Sequence, residues 1–244
     1  MSYPFYIFFG LAPSIIWLLF YLRKDQHPES NRMVLKIFLY GLLAALPAVF
    51  LEVGIFQEFE KLPLSPALIT ILNIFIGVAL VEEVLKYLVV RGKVLNSSEF
   101  DEPLDIMLYM IIAALGFAAL ENILILFPLG PTFLLGQVFS ISALRFVGAT
   151  FLHALCSGMI GYFMALSFFE TKKRTGLLIL GLGISIFLHG LYNFSIMEAE
   201  GILKVLIPAS IIVSLAFFVS FGFKKLKKIK GVCKLIWQDH FSKN

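Results

Sequence analysis

Charged residues are scarce in this chain, and their scarcity indicates the class of protein. Only 15% of the 244 residues are charged, whereas 59% are hydrophobic and the mean hydropathy is +0.92. A typical soluble domain has about 25% charged residues. We therefore expect lipid to be the solvent of most of this chain, and the length favours one bundle over several domains.

Cysteine and several catalytic motifs are lacking as well. The two cysteines, Cys156 in an apolar run and Cys233 in a basic tail, form no metal-binding pair, and we expect no disulfide between them. The sequence has no serine elbow, no Cys–His nucleophile site, no pair of intramembrane aspartates and no HExxH zinc motif. The N-terminus lacks a positive segment and a cleavage site, so we expect a retained first span.

Seven hydrophobic runs are long enough to cross a bilayer, which takes about 20 mostly apolar residues. They cover residues 4–22, 34–56, 66–90, 104–127, 139–169, 176–197 and 202–223. The fifth is too long for a simple crossing, so it is either tilted or preceded by a surface segment around Phe133–Phe139. The sequence thus predicts an all-α polytopic bundle over residues 1–223 and a basic cytoplasmic tail over residues 224–244.

The basic residues predict the orientation of the bundle. With the N-terminus outside and the C-terminus in the cytoplasm, 16 of the 20 Lys and Arg residues lie inside, as the positive-inside rule requires. The basic tail is a stop signal that also lies against anionic headgroups of the lipid bilayer. We expect no nucleic-acid partner.

Polar and charged side chains nevertheless interrupt the hydrophobic spans. A charge within the hydrocarbon costs about 2.5–3.5 kcal/mol on the lenient insertion scale, so such residues usually face the bundle interior and serve a function. In chain order they are Glu82, Glu83, Lys86, Glu121, Asn122, Arg145, His153, Ser157, Ser185, His189 and Asn193.

Helical spacing indicates which of these side chains share a face. Residues four apart lie on nearly the same side of a helix, so Glu82 is expected to pair with Lys86. One ridge of this spacing runs from Arg145 through His153 to Ala165. Each feature also has a structural interpretation, since Arg145 could snorkel to the interface and Glu52 could be interfacial. The depths of these residues in the membrane, estimated from the helical rise, do not agree. Glu82 lies about 12 Å above Arg91, whereas Glu121 and His153 lie about 24–25 Å above their inner span ends.

The residue types match the needs of peptide hydrolysis. That reaction requires an activated water, a stabilised oxyanion and a proton for the leaving amine. A glutamate and a histidine can divide the acid and base roles, and a histidine with an asparagine amide can stabilise the oxyanion.

Five short motifs occur in order along the spans. They are EExxK (Glu82, Glu83, Lys86), an aspartate in EPLD (Asp105), GFAxxEN (Gly116, Phe117, Ala118, Glu121, Asn122), HAxxxxxxG (His153, Ala154, Gly161) and HGxYN (His189, Gly190, Tyr192, Asn193). This ordered set resembles the PrsW-type intramembrane proteases, within the wider superfamily of CaaX-prenyl endopeptidases.

The resemblance implies a multi-pass cell-membrane protease that cleaves single-span membrane proteins, such as anti-sigma factors. It implies that Glu82, Glu83 and His189 are essential, with Glu82 activating water and His189 and Asn193 holding the oxyanion. Glu121 stands where the prenyl endopeptidases have a catalytic histidine. The full predicted catalytic set is Glu82, Glu83, His189, Glu121, His153 and Asn193, supported by Lys86, Phe117, Asn122, Arg145, Ser157 and Asp105.

Two questions stay open on the sequence. We expect no required metal, although Zn²⁺ could be bound by histidine and carboxylate ligands, namely Glu82, Glu121, His153 and His189. The alternatives to a protease are a non-catalytic scaffold or receptor of the same fold and a proton-coupled transporter. A transporter is expected to show inverted repeats, and no convincing internal repeat is visible.

Overall fold

The structure, a computed structural model, describes residues 3–25, 28–95, 97, 102–129 and 134–229. Within these ranges the chain forms helices and no β-strand. The helices are α1 (Tyr3–Leu22), α2 (Asn31–Glu60), α3 (Pro66–Leu72), α4 (Val81–Lys93), α5 (Pro103–Leu126), α6 (Leu135–Val147), α7 (Ala149–Phe169), α8 (Arg174–Glu198) and α9 (Leu203–Leu226). A π-helical stretch, Asn73–Leu80, joins α3 to α4, and 3-10 turns occupy Phe127–Leu129 and Thr171–Lys173.

These helices form seven segments that are long and apolar enough to cross a membrane. They are Pro4–Leu22, Asn31–Glu60, Pro66–Lys93, Pro103–Leu126, Leu135–Phe169, Thr171–Glu198 and Leu203–Leu226. The predicted all-α bundle with seven spans is confirmed, with boundaries shifted by a few residues. The orientation and the separate tail stay predictions: α9 continues to Leu226, and residues 230–244, like Phe133, lie outside the described residues.

Local sequence signals set where two of the helices begin. The hydroxyl of Ser30 accepts a hydrogen bond from the backbone amide of Met33 at the start of α2. Ser65 does the same for Leu68 at the start of α3, where Pro66 occupies the first helical position. Such caps satisfy amide groups that have no partner inside the helix.

The central helix is α5, which is buried along nearly its whole length and contacts α1, α2 and α7. Glycines permit the close approach of its neighbours. A Cβ atom at Gly116 would lie 2.0 Å from the Phe38 carbonyl oxygen on α2, and one at Gly161 on α7 would lie 2.6 Å from the Met107 Cα. Small residues at such crossings let helices in a membrane pack backbone to backbone.

The third span is not a uniform α-helix. The π-helical stretch widens the turn directly before the EExxK motif, and π-turns are usually found at functional sites. Gly77 within it lies against Phe56, whose ring carbon is 2.4 Å from the position a Cβ would take. The stretch ends two residues before Glu82.

The fifth span breaks at Gly148, between α6 and α7. The Gly148 backbone leaves the helical region, with φ −101° and ψ −102°, and a Cβ there would lie 2.5 Å from the Tyr192 hydroxyl oxygen. The single ridge predicted from Arg145 through Ala165 is therefore interrupted after Arg145. The length of this span comes from two helices rather than from one tilted helix.

We call the end of the bundle where α1, α4, α7 and α9 finish and α2, α5 and α8 begin the basic end. Its helix ends and turns include Lys24, Arg91, Lys93, Arg174 and Lys224. The sites described below lie either at this end or between the spans.

Candidate active site

The EExxK motif on α4 places two carboxylates and an ammonium in the bundle interior. Glu82, Glu83 and Lys86 are 5%, 0% and 0% exposed. The Lys86 Nζ lies 3.2 Å from the Glu82 Oε2 and 2.9 Å from the Glu83 Oε1. The helical pairing expected from the spacing is thus present, and Lys86 serves both glutamates at once.

His153 on α7 connects this motif to the fourth span. Its Nδ1 lies 2.7 Å from the Lys86 Nζ, and its Nε2 lies 2.7 Å from the Glu121 Oε2. An ammonium can only donate, so Nδ1 accepts from Lys86 and the ring proton is at Nε2, donated to Glu121. The ring of His153 is held at both nitrogens.

His189 on α8 completes the convergence from a further span. Its Nδ1 lies 2.9 Å from the Glu83 Oε1, so Nδ1 donates to that carboxylate, and its Nε2 faces the Glu82 Oε2 at 3.9 Å. The Ser157 hydroxyl donates to the other Glu83 oxygen at 3.1 Å. A Cβ at Gly190 would lie 2.5 Å from the Phe75 ring, which shows why the residue after His189 is a glycine.

A second set of contacts fixes Glu121 at the fourth and fifth spans. The Arg145 Nη2 lies 3.0 Å from the Glu121 Oε1, and the Arg145 Nε donates to the Asn122 Oδ1. Asn122 in turn donates to the Gly10 carbonyl at 3.2 Å and to the Thr150 hydroxyl at 3.0 Å. Arg145 therefore pairs inside the bundle instead of snorkelling, and Asn122 bridges helices as a structural residue does.

The aromatic ring of Phe117 packs against the Lys86 ammonium. The Lys86 Nζ lies 4.5 Å from the centre of the Phe117 ring, a cation–π distance, and the His153 ring centre is 6.0 Å from it. We use the name polar cluster for Glu82, Glu83, Lys86, Glu121, His153, Ser157 and His189.

Asp105 lies apart from the polar cluster. It is 16 residues before Glu121 in the same helix, which corresponds to about 24 Å. It accepts from the Glu102 amide at 2.7 Å and caps α5 at the basic end. Beside it, burial and the charges of Asp105 and Asp25 raise the pKa of the Glu29 carboxyl to about 9.

Asn193 is one turn beyond His189 on α8 and is half-buried. Its side chain makes no hydrogen bond to other protein groups among the described residues. The Asn193 amide is therefore not engaged in holding two helices together.

Glu52 lies on α2 and is half-buried. Its interfacial position stays a prediction.

The charges of the polar cluster do not balance. Glu82, Glu83 and Glu121 carry three negative charges, which Lys86 and the adjacent Arg145 offset only in part when both histidines are neutral. Glu83 accepts from three donors, whereas Glu82 accepts one hydrogen bond, from Lys86. Glu82 thus has more unused hydrogen-bond acceptor capacity than Glu83.

The donor set also fits a divalent cation. One carboxylate oxygen of Glu82 and one ring nitrogen each of His153 and His189 lie within 4.8 Å of one another, and two histidines with a glutamate are a known catalytic zinc set. The other nitrogen of each histidine faces a carboxylate, which is how metal-binding imidazoles are usually oriented. Glu121 faces the far side of His153 and is such an outer partner, while Lys86 already contacts two of the three donors.

The comparisons with known proteins identify a protease family. A family model described as PrsW family intramembrane metalloprotease matches residues 29–222. Protease PrsW of Geobacillus kaustophilus is 34% identical over 193 residues, or 78% of this chain and 79% of that protein. Protease PrsW of Bacillus subtilis is 28% identical over 225 residues, or 91% of this chain and 94% of that protein. No solved structure matches the chain.

Proposed function

Because the chain belongs to the PrsW family of intramembrane proteases, we propose that it hydrolyses a peptide bond of a single-span membrane protein at the polar cluster. The chain is thus a multi-pass membrane protein with peptidase activity. The observation that carries the proposal is the meeting of Glu82, His153 and His189 from three different spans. We also propose that this family falls within the wider superfamily of CaaX-prenyl endopeptidases.

In the proposed reaction Glu82 is the general base. Its Oε2 faces the Nδ1 of His153 at 3.6 Å and the Nε2 of His189 at 3.9 Å, so a water between these groups would have an acceptor for its proton. The Lys86 ammonium, 3.2 Å from the Glu82 Oε2, is the adjacent counter-ion of this carboxylate. The hydroxide oxygen then attacks the scissile carbonyl as Glu82 takes the proton.

His189 has the second role. With its Nδ1 proton donated to Glu83, a neutral His189 has no proton at Nε2, and it can accept one from Glu82. The carboxylate of Glu83 stabilises the resulting imidazolium, as an aspartate does in a catalytic triad. The Nε2 proton then stabilises the oxyanion together with the Asn193 amide, and passes to the leaving amine when the C–N bond breaks.

This scheme requires no metal, and we propose that the site works without one. If Zn²⁺ binds, Glu82, His153 and His189 would hold it, and it would supply a Lewis acid that activates water. Lys86 argues for a metal-free site, because its ammonium already places a cation against two of those donors. The zinc content of the purified protein tests whether the site is metal-free. About one zinc per chain, together with loss of activity on chelation, would contradict a metal-free site.

We also propose an orientation, a location and a class of substrate for this chain. We propose that the basic end is cytoplasmic, that the chain resides in the cell membrane, and that the substrate is a membrane-anchored regulator of the anti-sigma-factor type. A substrate segment that enters the bilayer can reach buried groups that a soluble protein cannot. No nucleic-acid partner is proposed.

The test is cleavage of co-expressed single-span proteins carrying tags at both ends. Glu82→Gln, Glu83→Gln and His189→Ala are expected to abolish cleavage while the protein remains in the membrane. Glu58→Gln is the matched control, because Glu58 is exposed and pairs only with Lys61 at the surface. Cleavage by all three variants at the normal rate would overturn the proposal, whereas loss of the folded protein without any proteolysis by the wild type would favour a scaffold.

A further inference from the structure

A deep groove lies on the surface of the bundle, away from the polar cluster. It has a volume of about 750 Å³ and runs between α1, α9 and the junction of α6 with α7. Its wall is aromatic: the Trp17 ring stacks on Phe151 with 3.9 Å between centres and on Phe146 with 5.1 Å. The Trp17 Nε1 donates to the Phe146 carbonyl at 2.8 Å, so the wall is rigid and the indole has no unsatisfied donor.

The end of this groove at the basic end is lined by three lysines. Lys24 lies two residues beyond the end of α1, Lys224 lies in the last turn of α9 and Lys227 directly follows α9. All three are exposed, and within the described part of the chain none has a carboxylate at ion-pair distance. The apolar groove therefore ends in three lysines that have no carboxylate partner among the described residues.

The groove faces away from the proposed chemistry. Phe151 and His153 are two residues apart on α7, which turns about 200° between them, so their side chains project from opposite sides of the helix. Phe151 lines the groove, whereas His153 faces Lys86 and Glu121. A peptide in the groove would be separated from Glu82 by the body of α7.

We propose that this groove binds one anionic phospholipid, with its phosphate against Lys24, Lys224 and Lys227 and an acyl chain along Trp17 and Phe151. The size lies within the range of small-molecule sites. Basic pockets between membrane helices at the headgroup level bind anionic lipid headgroups, and the apolar wall extends from the lysines toward the bilayer centre as an acyl chain does.

The bound lipid would also brace the break in the fifth span. Phe146 and Phe151 lie on either side of Gly148, and Trp17 stacks on both rings. The segment before the break carries Arg145 and the segment after it carries His153, the two partners of Glu121. Lipid in the groove thus contacts the aromatic wall that sets the angle between these two helices.

Tryptophan fluorescence gives a direct test of binding. The sequence has two tryptophans, and Trp237→Phe leaves Trp17 as the single reporter. The full chain is placed in phosphatidylcholine vesicles that contain a small fraction of brominated phosphatidylglycerol or the same fraction of brominated phosphatidylcholine. We expect brominated phosphatidylglycerol to quench Trp17 with about tenfold or higher apparent affinity, since each basic residue near the anionic surface contributes to attraction. Equal quenching by both lipids overturns the proposal.

Matched triple variants separate this site from general attraction to the basic end. The groove variant is Lys24→Gln/Lys224→Gln/Lys227→Gln, and the control variant is Lys173→Gln/Lys225→Gln/Lys228→Gln.

Both variants remove three positive charges at the same end of the bundle. The groove variant should lose the preference for phosphatidylglycerol, and the control should keep it. Equal loss in both means a diffuse surface effect and refutes a defined site. Displacement of the brominated lipid by a single-span peptide, with no preference for the anionic headgroup, would assign the groove to protein instead.

Native mass spectrometry of lipid retained by the unlabelled wild-type chain provides the same comparison if Trp237→Phe fails to fold. Neither measurement requires proteolysis, so failure of the lipid proposal and failure of the proposed function are distinguishable.

Discussion

Replacing Lys86 by methionine tests the electrostatic basis of the polar cluster. The Lys86 side chain is fully buried and its ammonium contacts Glu82, Glu83 and His153. Methionine retains an unbranched apolar stem but leaves two adjacent carboxylates without their counter-ion. Removing one partner of a buried ion pair costs about 3–5 kcal/mol. For 150–250 residues 1 kcal/mol corresponds to about 2–4 °C in Tm, so we expect a decrease of about 6–20 °C.

A second substitution shows whether charge imbalance is the cause. Counting Lys86, Arg145 and three glutamates, the region has a net charge of minus one, which Lys86→Met changes to minus two and Lys86→Met/Glu82→Gln restores to minus one. We expect the double variant to recover more than half of the lost Tm. The assay is thermal unfolding of the purified proteins in one detergent, analysed as a double-mutant cycle.

An exposed pair provides the control for this cycle. Lys61 and Glu58 form an ion pair of 2.6 Å with both side chains largely exposed, and such pairs contribute about 0–1 kcal/mol. Lys61→Met should therefore leave Tm nearly unchanged. The reasoning is refuted if Lys86→Met behaves like Lys61→Met, or if Glu82→Gln fails to rescue it.

Three further predictions concern separate parts of the molecule. Gly190→Leu should abolish cleavage and lower Tm, because its side chain would overlap the Phe75 ring; normal activity in a membrane cleavage assay would contradict this. Asn193→Ala should lower cleavage about 10²–10³-fold with little change in Tm, and a large loss of Tm instead would assign it a structural role. Burial and nearby carboxylates raise the pKa of Glu29 from 4.5 to about 9, so folding takes up a proton and Tm should fall as pH rises between those values. Glu29→Gln, which can still accept from Tyr109, should flatten that slope, and an unchanged slope would refute the assignment.

Much of the fold was accessible from the sequence because each span carries its own signal. Runs of about 20 apolar residues identify a crossing without reference to other spans, and all seven were predicted. The pairing of Glu82 with Lys86 followed in the same way, since both residues lie on one helix four positions apart.

The features that sequence reasoning missed depend on contacts between spans. The break at Gly148 is set against the Tyr192 hydroxyl, 44 residues later in the chain, and the π-helical stretch packs Gly77 on Phe56. Glu82 meets His153 although their depths estimated from the span ends differ, since the Glu82 Oε2 lies 3.6 Å from the His153 Nδ1. These features are decided by packing and leave little trace in local periodicity.

The residues of the polar cluster come from four separate spans, and this has a consequence for biosynthesis. Glu83, Glu121, His153 and His189 belong to the third, fourth, fifth and sixth spans, which leave the ribosome one after another. Each intramembrane charge costs about 2.5–3.5 kcal/mol on the insertion scale before its partners arrive. A nascent chain that stops before Arg174 has no His189, and its Glu83 lacks that donor. Maturation of the site is therefore a late event that requires the sixth span, because a chain that ends earlier keeps only Lys86 and Ser157 as donors to Glu83.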